Sequence, residues 1–285
     1  MPAPPGVGLG RGCPKHARRD LPGRAIIAAS PSRSRMPSTS PRPLLSLLAL
    51  AACATAHPGA PPDYAGLVAA PDRLDADRAI DGGRHPVETL AFAGARPGMR
   101  VADLAAGGGY TTELLARAVA PGGVVFSQNN ALLVKLAGEA WSARLARPAL
   151  AGVVRVEREF EDPLPPQARN LDLVVIYASY HDLVAMKVDR ERMDRAVRAA
   201  LRPGGAFVIV DHSARPGSGV EDSPTLHRID EELVKREVLA TGFRLAAEGS
   251  FLRNPDDARD WSTSPRAAGE RRGTSDRFAL RFVRP

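Results

Sequence analysis

Three consecutive glycines, Gly107, Gly108 and Gly109, follow the apolar run Arg100 to Leu104 and precede a helical pattern from Thr111 to Val119. A strand ending in such a turn presents main-chain N–H groups at the carboxyl edge of a parallel sheet, where α/β proteins bind ligands. Without side chains, the backbone can pass close to that ligand. Asp103, at the strand end, is placed to hold the turn that begins at Ala105 or to accept a hydrogen bond from a charged amino group. A dinucleotide fingerprint needs a further glycine where Thr112 stands, which excludes that class. A second group of reactive side chains comprises Tyr180-His181-Asp182, Asp211-His212 and the segment from Leu226 and His227 to Asp230. A neutral imidazole oriented by a carboxylate removes protons near neutral pH. His181 is therefore the expected base or acceptor-orienting residue, supported by Asp182 and His212, with Tyr180, Asp211, His227 and Asp230 at the substrate edge. His181, Asp182, Asp211, His212 and His227 are also an oxygen/nitrogen donor set suited to a divalent ion. Their spacing matches no compact metal motif, and no metal ligand is assigned on spacing.

These residues need a scaffold that carries them to one edge. Strands are expected at Arg100 to Leu104, Val124 to Gln128, Val153 to Glu157, Leu171 to Tyr177 and Ala206 to Asp211, alternating with helices at Thr111 to Val119, Ala131 to Ala146 and Arg190 to Ala200. Short apolar strands separated by helices imply an α/β fold, a doubly wound parallel sheet covered on both faces. Ser223-Pro224 reads as the start of a further helix that Gly242 stops, and Arg277 to Val283 alternates like a last strand. The glycine-rich stretch Ser213 to Ser223 is a candidate lid.

Seven Lys/Arg and a single Asp among residues 1 to 35, together with Arg42, account for the whole formal charge of +7. Nucleic-acid binding needs cations clustered on a folded surface, so this charge does not indicate it. The first 35 residues read as a disordered leader or an over-extended gene start. Residues 36–53 have the layout of a signal peptide, in which Leu50-Ala51-Ala52-Cys53 resembles a bacterial lipoprotein signal with a lipid anchor on Cys53. Residues 54–74 read as a linker and 75–285 as the catalytic domain, with Cys13 and Cys53 both outside it. An exported, periplasmic or membrane-anchored protein is expected, or a cytoplasmic one if the signal is unused.

The stretch from Gly98 to Phe126 resembles motif I of class I S-adenosylmethionine-dependent methyltransferases, an acidic residue followed by Gly-x-Gly, here Asp103, Gly107 and Gly109. With YHD, VDHSARPGSG, TLHRIDEELVK, LRNPDD and TSDRFALRFVRP, the chain resembles a group of predicted exported bacterial members. The resemblance implies a Rossmann-like sheet of seven strands with a reversed last strand, S-adenosylmethionine as cofactor and methyl transfer to a small-molecule substrate. It assigns Ala105, Gly107, Gly108 and Gly109 to the cofactor turn, Gln128 and Asn129 to the ribose in place of the usual acid, Asp162 to the adenine, and Tyr110 to the sulfonium. It supplies no acceptor. Because the donor is made in the cytoplasm, export leaves two alternatives beside the methyltransferase: a metal-dependent enzyme on this fold, and a non-catalytic ligand-binding lipoprotein.

Overall fold

The computed structural model describes residues 61–285; the leader, signal and Cys53 readings lie outside the described residues. The elements run α1 (Tyr64–Val68), α2 (Asp75–Arg84), α3 (Pro86–Ala93), β1 (Arg100–Leu104), α4 (Tyr110–Val119), β2 (Val124–Asn129), α5 (Ala131–Leu145), β3 (Val153–Glu157) and β4 (Leu171–Tyr177). They continue with α6 (Asp182–Ala185), α7 (Arg190–Ala200), β5 (Leu201–His212), α8 (Ser223–Leu226), α9 (Glu231–Ala240), β6 (Arg244–Gly249) and β7 (Arg277–Val283). The strands form one seven-stranded sheet in the order β3-β2-β1-β4-β5-β7-β6. β7 alone is reversed, antiparallel to both β5 and β6.

Strand alternation divides the sheet's apolar residues between two covered faces. Ala102, Leu104, Val174, Ile176, Phe207 and Ile209 enter one core, while Val101, Leu173, Val175, Val208 and Val210 enter the other. Central strands buried on both sides are nearly continuous aliphatic runs, and Leu171–Tyr177 is the clearest example. The chain winds outward from β1 to β3 and returns to β4 beside β1. The β1/β4 boundary is thus the switch point at which crossovers leave in opposite directions and a crevice opens.

Two boundaries differ from expectation. The stretch expected as linker, 54–74, contains α1, capped by Asp63, whose side chain accepts from the Gly66 N–H. Tyr64, Leu67 and Val68 pack against the second core, and the Tyr64 hydroxyl donates to the Ala95 carbonyl at 2.7 Å. One helical turn is too short to produce a readable period, which is why the sequence hid it. The helix expected from Ser223 is likewise two pieces. His227 adopts φ 53° and ends α8, and Asp230 then caps α9 by accepting from the Glu232 N–H.

Beneath the carboxyl edge, Asp194 of α7 is fully buried and accepts a 3.0 Å bond from the Tyr180 hydroxyl, which also faces Glu237. Burial, reinforced by the Glu237 charge, pushes the Asp194 carboxyl up to about 8. The folded protein therefore holds this proton where the unfolded chain has released it. Stability contributed by the protonated form is present below about pH 4 and is lost as pH rises to about 8. Asp194→Asn should abolish that decline and raise stability at pH 8 by about 1–3 kcal/mol. Urea melts of both proteins between pH 5 and pH 9 test this, and parallel pH profiles would refute it.

Candidate active site

Three strand termini, those of β4, β5 and β7, converge with α2 on a cavity of about 550 Å³ at the carboxyl edge, bounded among others by Arg84, Tyr177, His181, His212, His227 and Arg277. β4 ends at Tyr177, and the chain turns through Ala178 at φ 53° before Tyr180 inserts its ring into the core. Tyr180 thus faces inward as an anchor and does not meet a substrate, contrary to expectation. Its anchoring sets the next residue, His181, at the cavity wall.

Asp211, wholly buried at the end of β5, organises both strand-end histidines. One carboxylate oxygen accepts the His181 backbone N–H at 2.7 Å. The other lies 2.7 Å from both His181 Nδ1 and the His212 backbone N–H. Asp211 is therefore a positioning residue and not a substrate contact. On the opposite side of the His181 ring, Asp182 Oδ1 lies 3.1 Å from His181 Nε2 and 3.2 Å from His227 Nδ1. Burial alone would depress the His181 imidazolium, but the Asp211 and Asp182 carboxylates overcome it and raise its pKa to about 10. Burial would likewise raise the Asp182 carboxyl, yet the bonds from His181 and His227 hold it well below the usual carboxylate range.

An imidazole protonated and bonded at both nitrogens cannot take a proton, so the base role expected of His181 fails in this arrangement. His212 has the complementary environment. Burial, with the positive charges of His181 and Arg277, holds its pKa well below the ordinary histidine value. Its Nδ1 is engaged by Ser275 Oγ at 2.8 Å, and among the described residues no hydrogen bond reaches its Nε2. His212 is the neutral imidazole of the cavity.

Asp230 is buried in a structural role. Besides capping α9, it accepts from the Gly217 and Gly219 N–H groups and so fastens the loop expected as a lid. Asp230 is thus removed from the substrate edge, whereas His227 remains there.

The cofactor assignments divide. Asp103 is 1% exposed and accepts from Thr112 Oγ1 at 2.6 Å, and burial pushes its carboxyl up to about 7. Through Thr112 it ties the end of β1 to the first turn of α4. Gln128 and Asn129 are fully buried: Gln128 accepts from the Ala105 N–H and donates to the Arg158 carbonyl, while Asn129 makes a reciprocal pair with the Gly107 main chain. Neither amide is free for a ribose diol. Asp162 is an exposed carboxylate paired with Arg158 four residues earlier. The Tyr110 hydroxyl donates to Asp81 at 2.5 Å, and its ring carries the Arg84 guanidinium 4.5 Å from the centroid, the position expected of a sulfonium. Ala105 takes φ 54° in tightening the turn. The turn is open at Gly107 and Gly108 but packed at Gly109, where a Cβ would meet Arg144 Cδ at 2.8 Å. A Cβ at Gly107 would meet no atom within 4 Å, and one at Gly108 only the Ala140 Cβ at 3.8 Å.

Two cavity residues were not among the site residues expected from the sequence. Arg84 of α2 lies over the rings of Tyr110 and Tyr177, and Arg277 of β7 donates to the Tyr177 hydroxyl and the Gly83 carbonyl. No carboxylate pairs with either guanidinium among the described residues, and the Arg277 Nε is buried without a partner. Positive charge therefore faces the cavity.

The fold as a whole is similar to those of solved structures. An S-adenosylmethionine-dependent methyltransferase from Aquifex aeolicus aligns with TM-score 0.51 at 15% identity, over 78% of this chain and 99% of that one. Another from Mesorhizobium loti aligns with TM-score 0.50 at 19% identity, over 72% of this chain and all of that one. The fold is the class I methyltransferase fold. Among curated proteins, a ubiquinone/menaquinone biosynthesis C-methyltransferase from Ectopseudomonas mendocina (strain ymp) is 29% identical over 143 residues, 49% of this chain and 52% of that one. The corresponding protein of Vibrio campbellii is 27% identical over 176 residues, 60% and 64% of the two chains. The chain spans about half the length of the first curated relatives it matches. No family model matches it.

Proposed function

We propose that the protein transfers a methyl group from S-adenosylmethionine to a small, anionic acceptor held in the 550 Å³ cavity. The observation carrying this reading is the open glycine turn ending β1 at the switch point, with the reactive cavity beside it at the ends of β4 and β5. The turn fits a ligand through main-chain approach at Gly107 and Gly108. The ribose lacks the carboxylate partner that a charge-assisted bond requires, because residues 128 and 129 are amides already spent on the turn.

When bound, the cofactor would supply a sulfonium-activated methyl group, open to in-line attack by an acceptor lone pair with the neutral thioether as leaving group. The chain's own groups prepare the acceptor. Arg84 and Arg277 attract its negative charge, and His212 Nε2 takes the proton that the acceptor loses as it forms its bond to carbon. Asp211 fixes the angle of His212 by holding its backbone N–H.

Calorimetric titration with S-adenosylmethionine and with its demethylated product tests the reading. Micromolar binding of both is expected. Gly108→Ala, whose methyl would meet only Ala140 in the free protein, should weaken both by about tenfold or more through overpacking against the ligand. No heat at millimolar ligand would overturn the proposal.

A further inference from the structure

His181, Asp182 and His227 each present one donor atom toward a common point, and these atoms all lie within 4.8 Å of one another. Two of the separations, 3.1 and 3.2 Å, run from Asp182 Oδ1 to the two imidazole nitrogens. Donors at about 2.0–2.2 Å from an ion, at tetrahedral or octahedral angles, stand about 3.0–3.4 Å apart. Two of the three separations therefore already match those of ligands on one metal.

The surroundings complete the case. Asp211 binds the far side of His181, at Nδ1, which leaves Nε2 as the ring's outward donor. A carboxylate behind a histidine in this way fixes the tautomer and ring orientation that a metal requires. Asp182 supplies one carboxylate among the donors, and Asp211 a second behind His181. The αL conformation of His227, between α8 and α9, swings its imidazole to the cavity rim opposite His181, with the rings 5.4 Å apart and nearly perpendicular. All three donors line the cavity, so further coordination positions open onto the space where the acceptor is placed.

We infer that His181 Nε2, which gives up its proton to solvent as the ion takes its place, Asp182 Oδ1 and His227 Nδ1 form a two-histidine, one-carboxylate site for a divalent first-row transition ion. Imidazole with a single carboxylate suits iron, cobalt, nickel or zinc better than magnesium or calcium. The ion deepens the proposed function by ligating the acceptor through an oxygen, nitrogen or sulfur donor, so the acceptor class narrows to small anionic chelators. Binding of the ion itself is independent of the methyl donor.

The test uses the full chain stripped with a chelator and then titrated with Co²⁺, followed by calorimetry and by visible absorption, and with Zn²⁺ by calorimetry alone. One equivalent with micromolar or tighter affinity is expected, with Co²⁺ bands in the visible. His227→Ala removes a side chain that is 37% exposed and should weaken binding by about a hundredfold; Asp211→Asn should weaken it about tenfold. His212→Ala, in the same cavity but outside the triad, should leave affinity within about threefold. Absence of binding, or affinity unchanged in His227→Ala, would overturn the site. Equal loss in His212→Ala would overturn the three-ligand assignment. Cofactor titration of the same stripped protein separates these outcomes from failure of the methyltransferase reading.

Discussion

His212→Ala should lower methyl transfer by about a hundred- to ten-thousandfold, the range supplied by one positioned base, while calorimetric binding of S-adenosylmethionine stays unchanged. The effect is expected to fall on turnover because His212 lines the acceptor cavity and the glycine turn does not. Its pH signature follows from its environment. Burial and the neighbouring charges of His181 and Arg277 keep the ring neutral well below the ordinary histidine range. The working form is the unprotonated one, present above its pKa, so wild-type activity should be level through neutral pH and fall only in acid. The variant should lose that acid limb. The measurement is product formation from a tritiated methyl donor, with the acceptor found by screening small anionic metabolites. A decrease smaller than about threefold would remove His212 from the chemistry.

That His212 and not His181 is the free base could not have been read from the chain. Both histidines sit at strand ends, and the sequence correctly placed them on one edge, because aliphatic runs such as Leu171–Tyr177 fix where a strand stops. Strand bounds at 100–104, 153–157, 171–177 and 277–283 follow directly from such runs between turn residues. The protonation of His181 depends instead on carboxylates touching both ring nitrogens, one of them 30 residues away. The same limit explains Gln128 and Asn129. An amide beside a glycine turn serves either a ligand or the turn, and the choice rests on the Ala105 and Gly107 main-chain groups it meets. Tyr180 and Asp230 were legible as polar residues near the site, but their side chains run to the core and to a helix cap. Arg84 and Arg277 come from α2 and β7, far apart in sequence, and only the folded sheet makes them neighbours.

Arg228→Met should destabilise the protein by about 3–5 kcal/mol, the cost of leaving one member of a buried ion pair alone, and lower the melting temperature by about 10 °C or more. Arg228 is wholly buried, and its guanidinium donates to Asp257, to the Ser213 and Trp261 carbonyls, and packs 4.7 Å over the Trp261 ring. Asp257 accepts in addition from Trp261 Nε1 and from the backbone N–H groups of Arg259 and Asp276. Burial would raise the Asp257 carboxyl, but the bond from Arg228 leads those that hold it below its ordinary value. This pair gathers the polar segment between β6 and β7 onto the turn that carries His227, and Thr263 completes the join by donating to the His227 carbonyl. Its loss should therefore loosen one wall of the cavity as well as the fold. Thermal melts of Arg228→Met, Asp257→Asn and the double variant separate the contributions. If the pair is the cause, the double variant should be more stable than the sum of the two single losses, because no charge is then left buried without its partner. Strict additivity would mean that the two residues stabilise the segment independently, with the cavity wall held by the Trp261 packing and the Thr263 bond instead.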